Sequence, residues 1–355
     1  MQVLHQLRET QKGELSMQTT SGIHTFALKI RCSYSDIQNI LSANRCIRTK
    51  RDAFGLNNNY VIPTCKAAGV EVLLHQSLAH PSAVTMIVNP SSVLAGEYQP
   101  VSLFRPTDKS LRKLRRRLRA LLDELGIEQR LGRFNLSRCD LTRDIYCEDA
   151  GECMLRLDDF RKSLVMRSYQ PVPFREYGET EEKLRGAHTH TWTIRNKSCA
   201  FSVYDKTYEL RARHGIRIGH SILRTELRLE RKTIRKQAGD GAWPEQLAAL
   251  AARQERIWRR FLHRLHQDYD ALVTKQEALA RIDRSAYRKE TRKALRRIVK
   301  KADGCRSLAA VQRESRIKKA KFIKMLDRFR QMGFSPLVLP DGFRREQMVW
   351  CNINS

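Results

Sequence analysis

The chain is 355 residues long and carries 67 Lys plus Arg against 38 Asp plus Glu, a formal net charge of +29. That length allows a sizeable core and suggests about two domains. The charge points to a polyanion, nucleic acid first, because neutralised phosphates release condensed counterions. No apolar run approaches the roughly 20 residues that cross a bilayer, so the composition argues against membrane insertion.

Nine cysteines, at positions 32, 46, 65, 139, 147, 153, 199, 305 and 351, form no CxxC pair. Such usage fits reduced, mostly buried thiols and a cytoplasmic setting. Residues 1–21 are polar, carry charges of both signs and lack the apolar core of a signal peptide. They read as a flexible start.

In chain order, Ile23 to Cys32 alternates like a strand, and Ser35 to Ala43 can form a short helix capped by Ser35. Val70 to His75 and Ala83 to Val88 are further strand candidates. From Ser110 to Leu125, six leucines share one helical face, arginines and lysines crowd the remainder, and Gly126 stops the helix. That basic surface is either a DNA contact or a solvated outer face.

Asn135 to Tyr146 reads as a strand and about Glu152 to Met166 as a helix. Ala187 to Ile194 and Cys199 to Tyr208 read as hairpin arms, and Ile222 to Glu230 as a last strand. Mixed strands and helices up to about residue 236 predict an α+β domain over 22–236 with a mainly antiparallel sheet. Residues 244–355 are rich in Ala, Leu, Arg and Lys and read as a basic helical region for DNA binding or oligomerisation.

Three short runs stand out: Ser137-Arg138-Cys139-Asp140, Val203-Tyr204-Asp205-Lys206, and Leu223-Arg224-Thr225-Glu226-Leu227-Arg228. On strands, alternate residues share a face, which pairs Arg138 with Asp140, Tyr204 with Lys206, and Arg224 with Glu226 and Arg228. If the strands are neighbours, Asp140 and Glu226 can hold Mg2+ or Mn2+. Lys206 can assist the Tyr204 hydroxyl, while Arg224, Arg228 or Arg138 neutralise charge on a pentavalent phosphorus. The alternative is a solvated face with cross-strand ion pairs.

Asp144, Asp205, His188 and His190 are weaker metal candidates. For the histidines, hairpin register decides whether His190 lies beside Tyr204 or Tyr204 points to the opposite face. A Gly-rich phosphate loop ahead of a lysine, HExxH and GxSxG are all missing from the sequence, which disfavours most ATP-driven chemistry.

The order of Arg138-x-Asp140, then Tyr204-x-Lys206 with Glu209-Leu210, then Arg224-x-Glu226 resembles the filamentous-phage gene II and gene X type replication initiators and their plasmid relatives. The likeness is clearest over 135–236, with weaker echoes at Val88 to Leu94 and Arg328 to Pro340. It implies a relative of the palm-like nickase domain that opens one strand of a replication origin and starts rolling-circle synthesis. Tyr204 would become joined to a 5′ phosphate. Single-stranded and supercoiled origin DNA would be the substrates, with a host helicase and polymerase as partners in a bacterial cytoplasm.

Overall fold

The computed structural model describes residues 18–51, 57–66, 68–151, 153–154, 169–171, 190–265, 273–302, 308–334, 336 and 338. Among these, ten strands form a single sheet. They are β1 (Thr19–Cys32), β2 (Ile47–Arg51), β3 (Asn57–Ile62), β4 (Val70–Ser77), β5 (Ser82–Val88), β6 (Asn135–Cys147), β7 (Gln170–Pro171), β8 (Thr191–Arg195), β9 (Cys199–Asp205) and β10 (Ser221–Glu230). Their order across the sheet is β2-β3-β4-β5-β1-β6-β10-β9-β8-β7, with antiparallel pairing throughout.

One face of this sheet is apolar. Phe26, Leu28, Val72, Leu74, Val84 and Met86 supply it on one side of β1, and Cys139, Leu141, Phe201, Val203, Leu227 and Leu229 on the other. All belong to one buried cluster with helices α1 (Tyr34–Ala43), α3 (Asp108–Glu124), α5 (Arg231–Ala238), α6 (Trp243–Ala252) and α7 (Gln254–Leu265). Trp243 of α6 stacks on Phe26 at 5.9 Å, and Trp258 of α7 meets Phe201 edge-on at 5.8 Å. An antiparallel sheet with one face so covered can leave the other polar, and this one does.

The caps explain the helix bounds. Ser33, rather than Ser35, caps α1 through a capping box with Asp36. Thr107 opens α3, whose Leu111, Leu114, Leu118 and Leu122 are buried. Between β5 and α3, the short helix α2 (Pro90–Ala95) starts at Asn89 and ends at Gly96, which takes the left-handed conformation at φ 86°.

A second buried cluster begins at Val273. It is built by α8 (Lys275–Arg284), α9 (Lys289–Ala302), α10 (Leu308–Ser315) and α11 (Lys319–Gln331) around Ile282, Leu295, Ile298, Val299, Phe329 and Phe334. The helices α6 and α7 therefore complete the core of the sheet instead of joining the C-terminal helices. No helix among the described residues is long and apolar enough to cross a membrane. The expected helix at 152–166 lies almost wholly outside the described residues.

Candidate active site on the open face of the sheet

The open face is centred on β6, β10 and β9. Across β10, Arg224 pairs with Asp144 on one side and Tyr204 on the other, Glu226 with Thr142 and Ser202, and Arg228 with Asp140 and Ala200. Residues directly opposite point to the same face, so the three charged runs do meet. The register also fixes their spacing: Arg228 lies four residues, about 14 Å of strand, from the level of Arg224 and Tyr204.

On the far side of β6, β1 is irregular. Ile23 pairs with Leu141 and Phe26 with Cys139, so His24 and Thr25 together oppose Asp140. This is a β-bulge, which re-aims side chains toward a functional face. Both side chains reach the polar cluster: His24 Nδ1 lies 2.9 Å from Glu226 Oε1, and the Thr25 hydroxyl donates to Asp140 Oδ2 at 2.6 Å. An ionised carboxylate only accepts, so the His24 bond requires the proton on Nδ1.

The Tyr204 hydroxyl donates to the same Glu226 Oε1 at 2.9 Å. Burial pushes the Tyr204 phenol well above its ordinary value, the Glu226 charge adds to this, and Arg224 opposes it. Burial also pushes the Glu226 carboxyl up, but the His24 hydrogen bond and charge, with Arg224 and the Tyr204 hydroxyl, outweigh it and hold that carboxyl far below the usual carboxylate range. The resting pair is thus a protonated phenol on a carboxylate.

Two arginine-aspartate groups flank this pair and differ in access. Arg224 is fully buried and grips Asp144 bidentately at 2.6 and 2.7 Å, with its remaining donors on the Pro100 and Val101 carbonyls at 3.2 and 3.3 Å. Asp140, 1% exposed, accepts from Thr25, from Arg138 Nε at 3.0 Å and from Arg228 Nε at 3.1 Å. The Arg228 side chain itself remains 38% exposed.

Lys206 does not continue the strand. β9 ends at Asp205, whose side chain accepts from the Tyr208 N–H at 2.9 Å and caps helix α4 (Lys206–His214). Lys206 is the first helical residue, is buried, and its Nζ donates to Glu209 Oε2 at 2.6 Å. Burial pulls its ammonium down and Arg224 adds to that, while Glu209 and Glu226 hold it up. Lys206 and Tyr204 thus share Arg224, Glu209 and Glu226 as charged neighbours, although Lys206 lies on the helix and not on the strand face.

The histidines separate from this cluster. Thr191 faces Tyr204 and Arg195 faces Ala200, so the hairpin turn is wider than a 195–198 closure, and His190 comes opposite Asp205. That places His190 and Tyr204 on opposite faces. The His190 ring stacks on Tyr208 with centroids 3.6 Å apart, and its Nδ1 lies 3.8 Å from Asp205 Oδ2. His188 lies outside the described residues.

As a cation site, the residues fit unevenly. Asp140 already receives three side-chain donors, so Asp140 and Glu226 do not form an open carboxylate pair, and Asp144 is closed around Arg224. Among the described residues no group of three or more His, Cys, Asp or Glu side chains is arranged to hold a metal. Glu226 is the carboxylate here that fits one oxygen ligand of a coordination sphere, with the His24 Nδ1–H bound to it as an orienting partner.

His24 and Thr25 escaped the sequence reading. Their signal is a break in period: Ile23, Phe26, Leu28 and Ile30 are all buried, with a spacing of three before the spacings of two. Helix α4 was also legible, as Asp205 before Lys-Thr-Tyr-Glu and Gly215 at its end.

No protein-family model and no curated protein matches the chain. Among solved structures, the chain is similar to a rolling circle replication initiator protein from Geobacillus stearothermophilus, at 12% sequence identity and a TM-score of 0.30, over 78% of this chain and 91% of that one.

Proposed function

We propose that the protein is a replication initiator that nicks one strand of origin DNA through a 5′-phosphotyrosine on Tyr204. The observation that carries this reading is the Tyr204 hydroxyl held on Glu226 in a polar, half-buried face, where the register also aligns Arg224, Asp144, Arg228 and Asp140. The order of the three strand motifs supports the same reading. Its relation to the palm-like nickase fold belongs to this proposal, as do the bacterial cytoplasm and the host helicase and polymerase.

In the proposed reaction the Tyr204 oxygen attacks the scissile phosphorus as the bond to the 3′ oxygen breaks, and the phenol proton passes by way of Glu226 to that oxygen, which departs as the 3′ hydroxyl. Because Glu226 is held so acidic, it is a weak base that orients the hydroxyl more than it activates it. The remaining burden falls on cations: Arg224 favours the phenolate as charge develops, and Lys206 is proposed to add to it from the first turn of α4. Arg224 is enclosed and acts through field and positioning. Arg228, on the level of Asp140, and Arg138, two residues further along β6 and bonded to the same carboxylate, serve a flanking phosphate instead of the scissile one. If the reaction needs Mg2+ or Mn2+, Glu226 would hold it with His24 orienting the carboxylate, and such an ion would polarise a phosphoryl oxygen.

The test is incubation of wild type and Tyr204→Phe with labelled single-stranded and supercoiled DNA from the protein's own replicon, with Mg2+, Mn2+ or EDTA. A nick with label bound to wild type alone supports the reading. Binding without cleavage on every substrate, with the variant identical, replaces it by a DNA-holding protein.

A further inference from the structure

Helix α9 carries seven cations and one acid, Glu290, in fourteen residues. Its Leu295, Ile298, Val299 and Ala302 are buried in the C-terminal cluster. That fixes the rotation of the helix and turns Lys293, Arg296, Arg297, Lys300 and Lys301 toward one open depression that they line together. Arg296 is paired with Asp283 at 2.6 Å. Lys293, Arg297 and Lys300 are exposed, and no ion pair to them is found among the described residues.

Helix α3 also carries seven cations, but with three acids in seventeen residues. Its Lys113 and Arg117 donate to the Leu94 and Val93 carbonyls and so cap α2. Those two cations close the fold, as Arg292 and Arg296 do on α9 by binding Asp283, whereas Lys293, Arg297 and Lys300 stand exposed along the outer side of α9.

From this placement we infer that the outer face of α9 is a second nucleic-acid surface that takes the phosphate backbone of duplex DNA. Residues 293 to 301 span about 12 Å of helix, close to the roughly 12 Å width of a major groove, so phosphates on both walls are within reach. The segment contains no aromatic residue, and single strands bind by stacking bases on such rings. An amphipathic basic helix can also lie on anionic lipid, but it does so by inserting its apolar face. The apolar face of α9 is already used in the core. The inference shares the nucleic-acid partner with the proposed function but not the nicking step. It gives the protein a grip on the duplex beside the strand that would be cut.

The experiment compares the full-length protein with Lys293→Ala/Arg297→Ala/Lys300→Ala, reading the anisotropy of a labelled 30-base-pair DNA duplex over a salt series. Three lost phosphate contacts lower the slope of log K against log salt by about 2.7, at about 0.9 per contact. Wild type should therefore lose about 40-fold more affinity than the variant between 50 and 200 mM salt. Circular dichroism should be unchanged, since alanine suits a helix exterior. An unchanged slope and affinity in a folded variant overturns the inference. So does a loss confined to phosphatidylglycerol vesicles, or tighter binding of an RNA duplex than of DNA. If duplex binding behaves as expected and no substrate is nicked, the proposed function fails and this surface stands.

Discussion

Arginine serves two purposes in this molecule, and the sheet and the C-terminal helices separate them. On the sheet, Arg224 is sealed against Asp144 and two backbone carbonyls, so its charge shapes the surroundings of Tyr204 without meeting solvent. On α9, Arg297 and its lysine neighbours stand exposed over a packed apolar face. Enclosure with a carboxylate makes a guanidinium part of the architecture. Exposure beside other cations leaves it available to a polyanion. Arg228 lies between these limits, anchored to Asp140 yet partly open.

The largest effect expected on this contrast is chemical. Tyr204→Phe keeps the ring and removes only the hydroxyl bonded to Glu226, so it should abolish the covalent protein–DNA product while duplex binding, measured by anisotropy, is retained. Loss of both would merge the two regions into one function.

Next comes stability. Arg224→Leu strands the Asp144 carboxylate in the core and should cost about 3–5 kcal/mol in urea unfolding. Arg228→Leu leaves Asp140 with Arg138 and Thr25 and should cost only about 0–1 kcal/mol. Equal costs would erase the distinction between sealed and open arginines.

These predictions rest partly on features the sequence exposes and partly on features it conceals. Strands at Val70 to His75, Ala83 to Val88, Asn135 to Tyr146 and Ile222 to Glu230 are readable from alternation and lie within β4, β5, β6 and β10. The neighbouring β2 and β3 were not, because Asn57-Asn58-Asn59 and a basic partner have poor strand preference and gain theirs from pairing beside β4. Likewise, alternation put Tyr204 and Lys206 on one strand face, but the Asp205 cap overrides it. The sequence puts Arg138 beside Asp140 on one strand face, but the further bonds from Arg228 and Thr25 that saturate Asp140 depend on a register and a bulge formed by residues more than eighty positions apart.

Removing His24 sharpens the account of Glu226. His24→Ala withdraws one hydrogen bond from Oε1 and should reduce any nicking rate by about tenfold to a hundredfold, the loss seen when a partner orienting a ligand group is removed. Single-turnover cleavage measures it, and an unchanged rate would make His24 a bystander.

The smallest effect concerns acid stability. Because the folded Glu226 carboxyl titrates below its unfolded value of about 4.3, its ionised form stabilises the fold above that pH, and this contribution is lost as pH falls toward the folded value. The Tm advantage of wild type over Glu226→Gln, in EDTA, should hold nearly constant from pH 6 to about pH 5 and shrink from there to about pH 3.5. A constant difference would contradict the stabilised carboxylate.

The central claim is that the Tyr204 oxygen becomes bonded to DNA. Wild-type protein incubated with its origin strand, digested with protease and nuclease, and analysed by peptide mass spectrometry should yield the peptide containing Tyr204 with a nucleotide 5′-phosphate on that tyrosine. A nucleotide on another residue, or cleaved DNA with no modified peptide, would contradict it.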